Sequence, residues 1–311
     1  MTLRRVNVVT GGLVAALGAL FLGGGLVGAH GYVSNFLTYR GFAPPREPAW
    51  VTQPGTTQRV DVRSAALDGR AQEAYVYLPS GYTAQPTRRY PVVYLLHGFP
   101  GRPLAWLETV RMGVIDDSLS ARGRTQPVIL VMPFGSTGTF TDEEWVDGAR
   151  PGNGWGTFVS RDLVHYVDAH FRTVPTRAAR AIAGLSEGGY GAIDIALHHP
   201  REFSVVESWS GYERPDKLRS IFGKRLQLLP ANDPQALVQR EAQLVRRLHT
   251  YIWFYSGSTD PLHVQNAAFA RELTTLGIAH RYRLVYGGHN WALWRDNAAL
   301  AYRAAATRLA E

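Results

Sequence analysis

The sequence predicts an α/β fold, a mostly parallel central sheet with helices on both faces. Three observations carry this. Short apolar runs alternate with longer stretches of helical period through most of the 311 residues. A glycine-rich turn, Gly184-Leu185-Ser186-Glu187-Gly188, joins one apolar run to a small-residue helix start, Gly189-Tyr190-Gly191-Ala192. A content of 45% hydrophobic and 19% charged residues suits a buried core and argues against disorder.

The chain divides into three parts. Residues 1–30 begin with Arg4 and Arg5, followed by 24 residues without charge, from Val6 to Ala29. That is long enough to cross a bilayer as a helix, which needs roughly 20 residues. The arginines ahead of it favour a cytoplasmic amino terminus and a domain outside. Val27-Gly28-Ala29 also offers a cleavage site, so the segment reads as a membrane anchor or a signal peptide. Either reading exports the rest. Residues 31–57 hold Pro44, Pro45, Pro48 and Pro54 without periodicity and read as a linker. Residues 58–311 are the expected catalytic domain.

In that domain, 59–64 and 71–78 alternate as paired antiparallel strands, with Leu67-Asp68-Gly69-Arg70 as the turn. The apolar runs 91–96 and 127–132 read as buried strands. Runs at 179–183, 204–209, 251–255 and 281–285 supply four more. Helices are expected at 114–121, 158–170, 190–198, 234–249, 264–276 and 293–309. Two stretches, 134–156 and 211–233, break the alternation and are expected at the carboxyl edge of the sheet. Long loops in compact domains are usually functional.

Composition removes several function classes. The chain has no cysteine, so disulfides, thiolate metal sites and cysteine nucleophiles are excluded. The net charge is +8, carried almost entirely by arginine. The basic residues are interspersed with acids, which favours a face near an anionic membrane over a nucleic-acid partner.

The turn at Ser186 has the form of a nucleophile elbow, a strand that reverses sharply into a helix. Such a site needs an acid and a base later in the chain, in that order. Asp260 follows the run 251–255 and His289 follows 281–285 through two glycines, so both are expected on the same sheet edge as Ser186. His289 would take the proton of the Ser186 hydroxyl, and Asp260 would orient and stabilise the imidazolium. Asp260 could also cap the helix that follows it. Glu213 and Asp216 are rival acids. The oxyanion of a tetrahedral intermediate needs two amide donors, expected from Glu187 and from Phe99 in His97-Gly98-Phe99-Pro100-Gly101. His97 reads as a brace for that loop. His165, His170, His198 and His199 lack metal-ligand spacing with carboxylate support, so no metal and no cofactor are expected. Asp142, Glu143, Glu144 and Asp147 read as a solvated loop, with recognition of a cationic group as the minority alternative. Trp145, Trp155 and Trp291, with Trp294, are candidates to line an apolar substrate cleft.

HGFPG after a strand, GLSEGGYGA at the elbow and GGHNWALW near the carboxyl end resemble the putative-esterase family of α/β hydrolases. That group includes feruloyl esterases, the esterase D type and the antigen 85 mycolyltransferases. The resemblance covers roughly 58–309. It implies the α/β-hydrolase fold, with Ser186, Asp260 and His289 as triad and Phe99 and Glu187 at the oxyanion. Trp291 matches the aromatic that commonly follows the histidine. The implied activity is carboxylic-ester hydrolysis through an acyl-enzyme on an ester or lipid substrate. An envelope acyltransferase using the same triad is the alternative, and a non-catalytic envelope scaffold the third reading.

Overall fold

The computed structural model describes residues 47–138, 141, 143–214 and 219–310, apart from the side chains of 219 and 220. The proposed anchor or signal segment, most of the linker, and the rival acid Asp216 lie outside the described residues. Among the described residues no helix is long and apolar enough to cross a membrane.

Among the described residues eight strands form one sheet: β1 (Thr56–Arg63), β2 (Ala71–Leu78), β3 (Val92–Leu96), β4 (Ile129–Pro133), β5 (Arg180–Leu185), β6 (Val205–Trp209), β7 (Tyr251–Gly257) and β8 (His280–Val285). Their order is β1-β2-β4-β3-β5-β6-β7-β8. β1 pairs with β2, and β2 with β4, antiparallel; every other pairing is parallel. This is the α/β-hydrolase sheet that the sequence implies. The β1–β2 turn falls at Asp68 and Gly69, both in the left-handed region at φ 56° and 74°. β3 to β6 are buried along their whole length, because helices cover both faces.

The main helices are α1 (Met112–Ala121), α2 (Val164–His170), α3 (Glu187–His198), α4 (Pro234–Arg247), α5 (His263–Thr275) and α6 (Trp291–Ala306). A turn at Trp155–Thr157 and a wider one at Phe158–Leu163 run into α2. The alternation of side chains along each strand splits the core into two layers. Tyr94, Ile182, Val206 and Phe254 pack with Ile193 of α3, Leu237 of α4 and Phe269 of α5. Leu95, Ala183, Val205 and Tyr255 pack on the other face with Met112 of α1 and Leu293 and Ala301 of α6. α3 is buried at eleven of its twelve residues, so the helix behind the elbow is the best-packed one.

Both irregular stretches differ from bare loops. Residues 211–233 include short helical turns at Arg219–Phe222, Leu226–Leu228 and Pro230–Asn232. The acidic stretch is a solvated loop only in part. Glu143 and Glu144 are buried, and Asn153 Nδ2 donates to Glu143 at 3.0 Å. Asp147 accepts from the backbone and hydroxyl of Thr157 at 2.9 and 2.5 Å. Glu143 and Glu144 thus turn inward while Asp147 stays exposed, and Asp142 lies outside the described residues.

Candidate active site

β5 delivers the chain to Ser186, whose backbone sits at φ 56° and ψ −122°. A non-glycine residue holds such angles only where its surroundings enforce them. The surroundings here are specific. A Cβ at Gly184 would run into the carbonyl of Gly188, and one at Gly188 into the carbonyls of Leu96 and His97. The Ser186 amide donates to Trp209 O at 3.0 Å, so β6 holds the turn from the side. Gly189 N–H donates to Ser186 O at 2.9 Å and begins α3. The Glu187 amide is in the first turn of that helix, where N–H groups have no intrahelical acceptor.

His289 Nε2 lies 2.8 Å from Ser186 Oγ, and its Nδ1 lies 2.9 Å from Asp260 Oδ2. Three side chains expected from separate motifs thus form one hydrogen-bonded line. Asp260 is buried. Burial alone would raise its pKa, but the hydrogen bond and charge of His289 and the amide of Leu262 hold it below the usual carboxylate value. Leu262 N–H donates to Oδ1 at 2.9 Å, a side-chain turn just ahead of α5; the cap position of that helix is Leu262, so Asp260 does not cap it. An ionised Asp260 only accepts. Nδ1 of neutral His289 then carries the proton, and Nε2 is left to accept from the Ser186 hydroxyl.

Two loops set this alignment. Ser258 N–H donates to Val285 O at 2.7 Å and Thr259 N–H to Gly287 O at 2.9 Å, which joins the loop after β7 to that after β8. Gly287 occupies φ 133°, a region open to glycine. Trp294 meets His289 edge-on, with ring centroids 5.0 Å apart. Trp291 packs edge-on against Trp294 at 5.1 Å.

The loop after β3 closes the other side. Gly135 N–H donates to His97 Nε2 at 3.1 Å, and His97 Nδ1 lies 3.0 Å from Gly98 O. His97 therefore accepts at one nitrogen and donates at the other, the geometry of a brace. A Cβ on Gly98 would come within 3.0 Å of Leu185 and of Ser186 Cβ, so the loop rests directly on the elbow. A cleft of about 50 Å³ opens there, lined by Gly98, Phe99, Pro100, Leu185, Ser186, His289, Trp291 and Trp294.

Trp291 and Trp294 line the cleft; Trp145 and Trp155 do not. Trp145 is buried beneath the loop, its ring filling space that Cβ atoms at Gly135 and Gly191 would occupy. Its Nε1 donates to His97 O at 3.0 Å. Trp155 packs in the core against Phe158 and under the Arg70 guanidinium. The cleft-lining Pro100 and Leu185 were missed in the sequence, although each adjoins a motif residue.

The rival acid Glu213 is buried, and neither carboxyl oxygen has a hydrogen-bond partner. Burial, with Asp233 nearby, pushes its pKa up to about 8. Among the described residues no group of three His, Asp or Glu side chains could hold a metal ion.

A model of the family described as "Putative esterase" matches residues 64–302. An uncharacterized protein of Corynebacterium glutamicum is 27% identical over 254 residues, covering 78% of this chain and 57% of that protein. The endo-1,4-beta-xylanase/feruloyl esterase of Xylanibacter ruminicola is 35% identical over 168 residues, covering 50% of this chain and 22% of that one. The chain thus spans from about a fifth to just over half the length of these two curated relatives. A solved ferulic acid esterase superposes with a TM-score of 0.72 at 23% identity, covering 82% of this chain and all of that one. The motifs, the sheet and the family match agree: this chain belongs to the putative-esterase family.

Proposed function

We propose that this chain is a serine carboxylic-ester hydrolase that works through an acyl-enzyme. The observation that carries the reading is the line Asp260–His289–Ser186, with contacts of 2.9 and 2.8 Å, opening on the cleft. Ser186 Oγ attacks the ester carbonyl as His289 Nε2 takes its proton. The negative charge on the carbonyl oxygen is held by the amides of Phe99 and Glu187. His289 then protonates the departing alcohol, and water, deprotonated by the same nitrogen, attacks the acyl-enzyme and releases the acid. Asp260 keeps the imidazole oriented and stabilises its charge. Trp291, Trp294 and Phe99 provide the apolar walls that receive the ester.

Transfer to an alcohol acceptor uses the same acyl-enzyme, and the enclosure of Ser186 by Trp291 and Trp294 favours it wherever acceptor outcompetes water. The uncharged stretch 6–29 supports placement of the catalytic domain outside the cytoplasmic membrane.

The test is turnover of p-nitrophenyl esters of increasing acyl length by the full chain beside Ser186→Ala. Turnover should fall by about 10⁴-fold or more in the variant. Comparable turnover by both proteins would remove Ser186 from the chemistry. A gain in product release on adding glycerol or sugars, with the matching ester formed, would assign transfer.

A further inference from the structure

Large apolar side chains are exposed together at one corner of the molecule. Leu284 is 56% exposed and Tyr286 94%. Leu284 stands near the end of β8 and Tyr286 just past it, at the bend that leads to Gly287. Tyr282 shares the face of Leu284 on β8, and its hydroxyl donates to His263 O at 3.4 Å in the first turn of α5. The next residue of that turn, Val264, is 63% exposed. Phe99, on the loop opposite, is 40% exposed and walls the cleft. Val264 follows Asp260 by four residues, and Tyr286 precedes His289 by three. The patch therefore borders the mouth of the site.

Two occupants suit an apolar patch beside an edge strand: a second copy of the chain, or a lipid surface. β8 ends the sheet, and its other face carries Arg281 and Arg283. Antiparallel pairing of β8 with another β8 would bring these like charges together, which disfavours a second copy. Because β8 is the edge strand, the long side chains of these arginines can reach round it toward an anionic bilayer, in a chain of net charge +8. Tyrosine suits the boundary between headgroups and acyl chains, having an apolar ring and a polar tip.

We propose that Val264, Leu284 and Tyr286, with Phe99 on the far lip, dock on an anionic lipid surface and admit lipid esters directly to the cleft. This choice of substrate class rests on the ester-hydrolase reading; the docking surface does not.

The chain has no cysteine, so Leu284→Cys carries a single environment-sensitive fluorophore. Gln58→Cys, exposed on β1 at the opposite edge of the sheet, is the control. Both full-length proteins are mixed with phosphatidylcholine vesicles, with or without phosphatidylglycerol, with and without brominated acyl chains. The label at 284 should shift to the blue and be quenched by bromine, more strongly with phosphatidylglycerol, while the label at 58 stays unchanged. No response at 284, or equal responses at both positions, overturns the surface. An equal response on both vesicle types overturns its anionic preference. A blue shift without vesicles that grows with protein concentration assigns the patch to a second copy instead.

A second arm reads activity. Val264→Ser, Leu284→Ser and Tyr286→Ser combined should cut turnover of a long-chain ester held in anionic vesicles by about tenfold. Turnover of a short soluble ester should stay unchanged. An equal loss on both esters overturns the role in delivery. Vesicle contact at 284 without hydrolysis of any ester would sink the hydrolase reading and leave the docking surface standing.

Discussion

Asp260 and Glu213 are buried carboxyls at the ends of neighbouring strands, and their partners give them opposite fates. Asp260 is met by His289 and by the Leu262 amide and stays ionised. Glu213 meets neither and keeps its proton. Asp260→Asn tests the first assignment. An amide can turn its NH₂ toward Nδ1, which reverses the imidazole tautomer and leaves Nε2 protonated against the Ser186 hydroxyl. Turnover should fall by about 10⁴-fold while the melting temperature barely moves. A loss of less than about tenfold would show that Asp260 acts mainly by holding the turn ahead of α5 through the Leu262 amide. Ser186, Asp260 and His289 were legible because each is tied to a local pattern, a strand end followed by a turn that only small residues permit. Trp145 and Trp155 were not. Trp145 fills a gap at Gly191, and Trp155 lies under the Arg70 guanidinium, contacts between segments distant in sequence. Glu143 was misread because the loop must fold back on itself before Asn153 can draw the carboxylate inward.

The segment after β6 shows how a connecting element can carry a pH response. Tyr212 stacks on Tyr190 of α3 at 4.8 Å, and the Tyr190 hydroxyl donates to Asn232 O at 2.8 Å. Gln265 of α5 accepts from the Glu213 amide at 2.8 Å. Glu213 is thus locked between helices in its neutral form. Its folded pKa of about 8 lies above the ordinary value of 4.5. The unfolded chain therefore holds fewer protons between these values, and stability falls as pH rises from about 4.5 to 8. Glu207, buried on β6 and also pushed up to about 8, adds a fall of the same sign. Glu213→Gln should flatten the decline in melting temperature between about pH 5 and pH 8.5, with Glu207 sustaining the remainder. Curves that stay parallel across that range would show that water reaches the Glu213 carboxyl. The sequence located the strands to within three residues at each end, because apolar runs and glycine turns mark them. It started α3 three residues late and α6 two residues late. Ser186 and Asn290 begin α3 and α6 directly at the active-site turns, and helical period becomes visible only after the first turn has formed.

Among the described residues one sheet is shared by two large apolar layers, and that arrangement fixes how the domain should unfold. Every central strand presents alternate residues to opposite faces, so losing either layer exposes the sheet that the other needs. Leu130 of β4 belongs to the layer of α1 and α6, and Ile252 of β7 to that of α3, α4 and α5. Four strand spacings separate β4 from β7 in the sheet, roughly 19 Å at about 4.8 Å each. Leu130→Ala and Ile252→Ala should each cost about 2–5 kcal/mol, from lost burial and the cavities left. At that separation the double variant should show the sum of the two losses, within about 0.5 kcal/mol. Calorimetry of each variant should give a single transition, shifted to lower temperature, with the calorimetric enthalpy equal to the van't Hoff value. Splitting into two transitions, with only one moved by each substitution, would mean that the layers are separate cooperative units. Ser186, Asp260 and His289 follow three different strands of this sheet. A single transition would therefore tie their 2.8 and 2.9 Å contacts to the integrity of both layers.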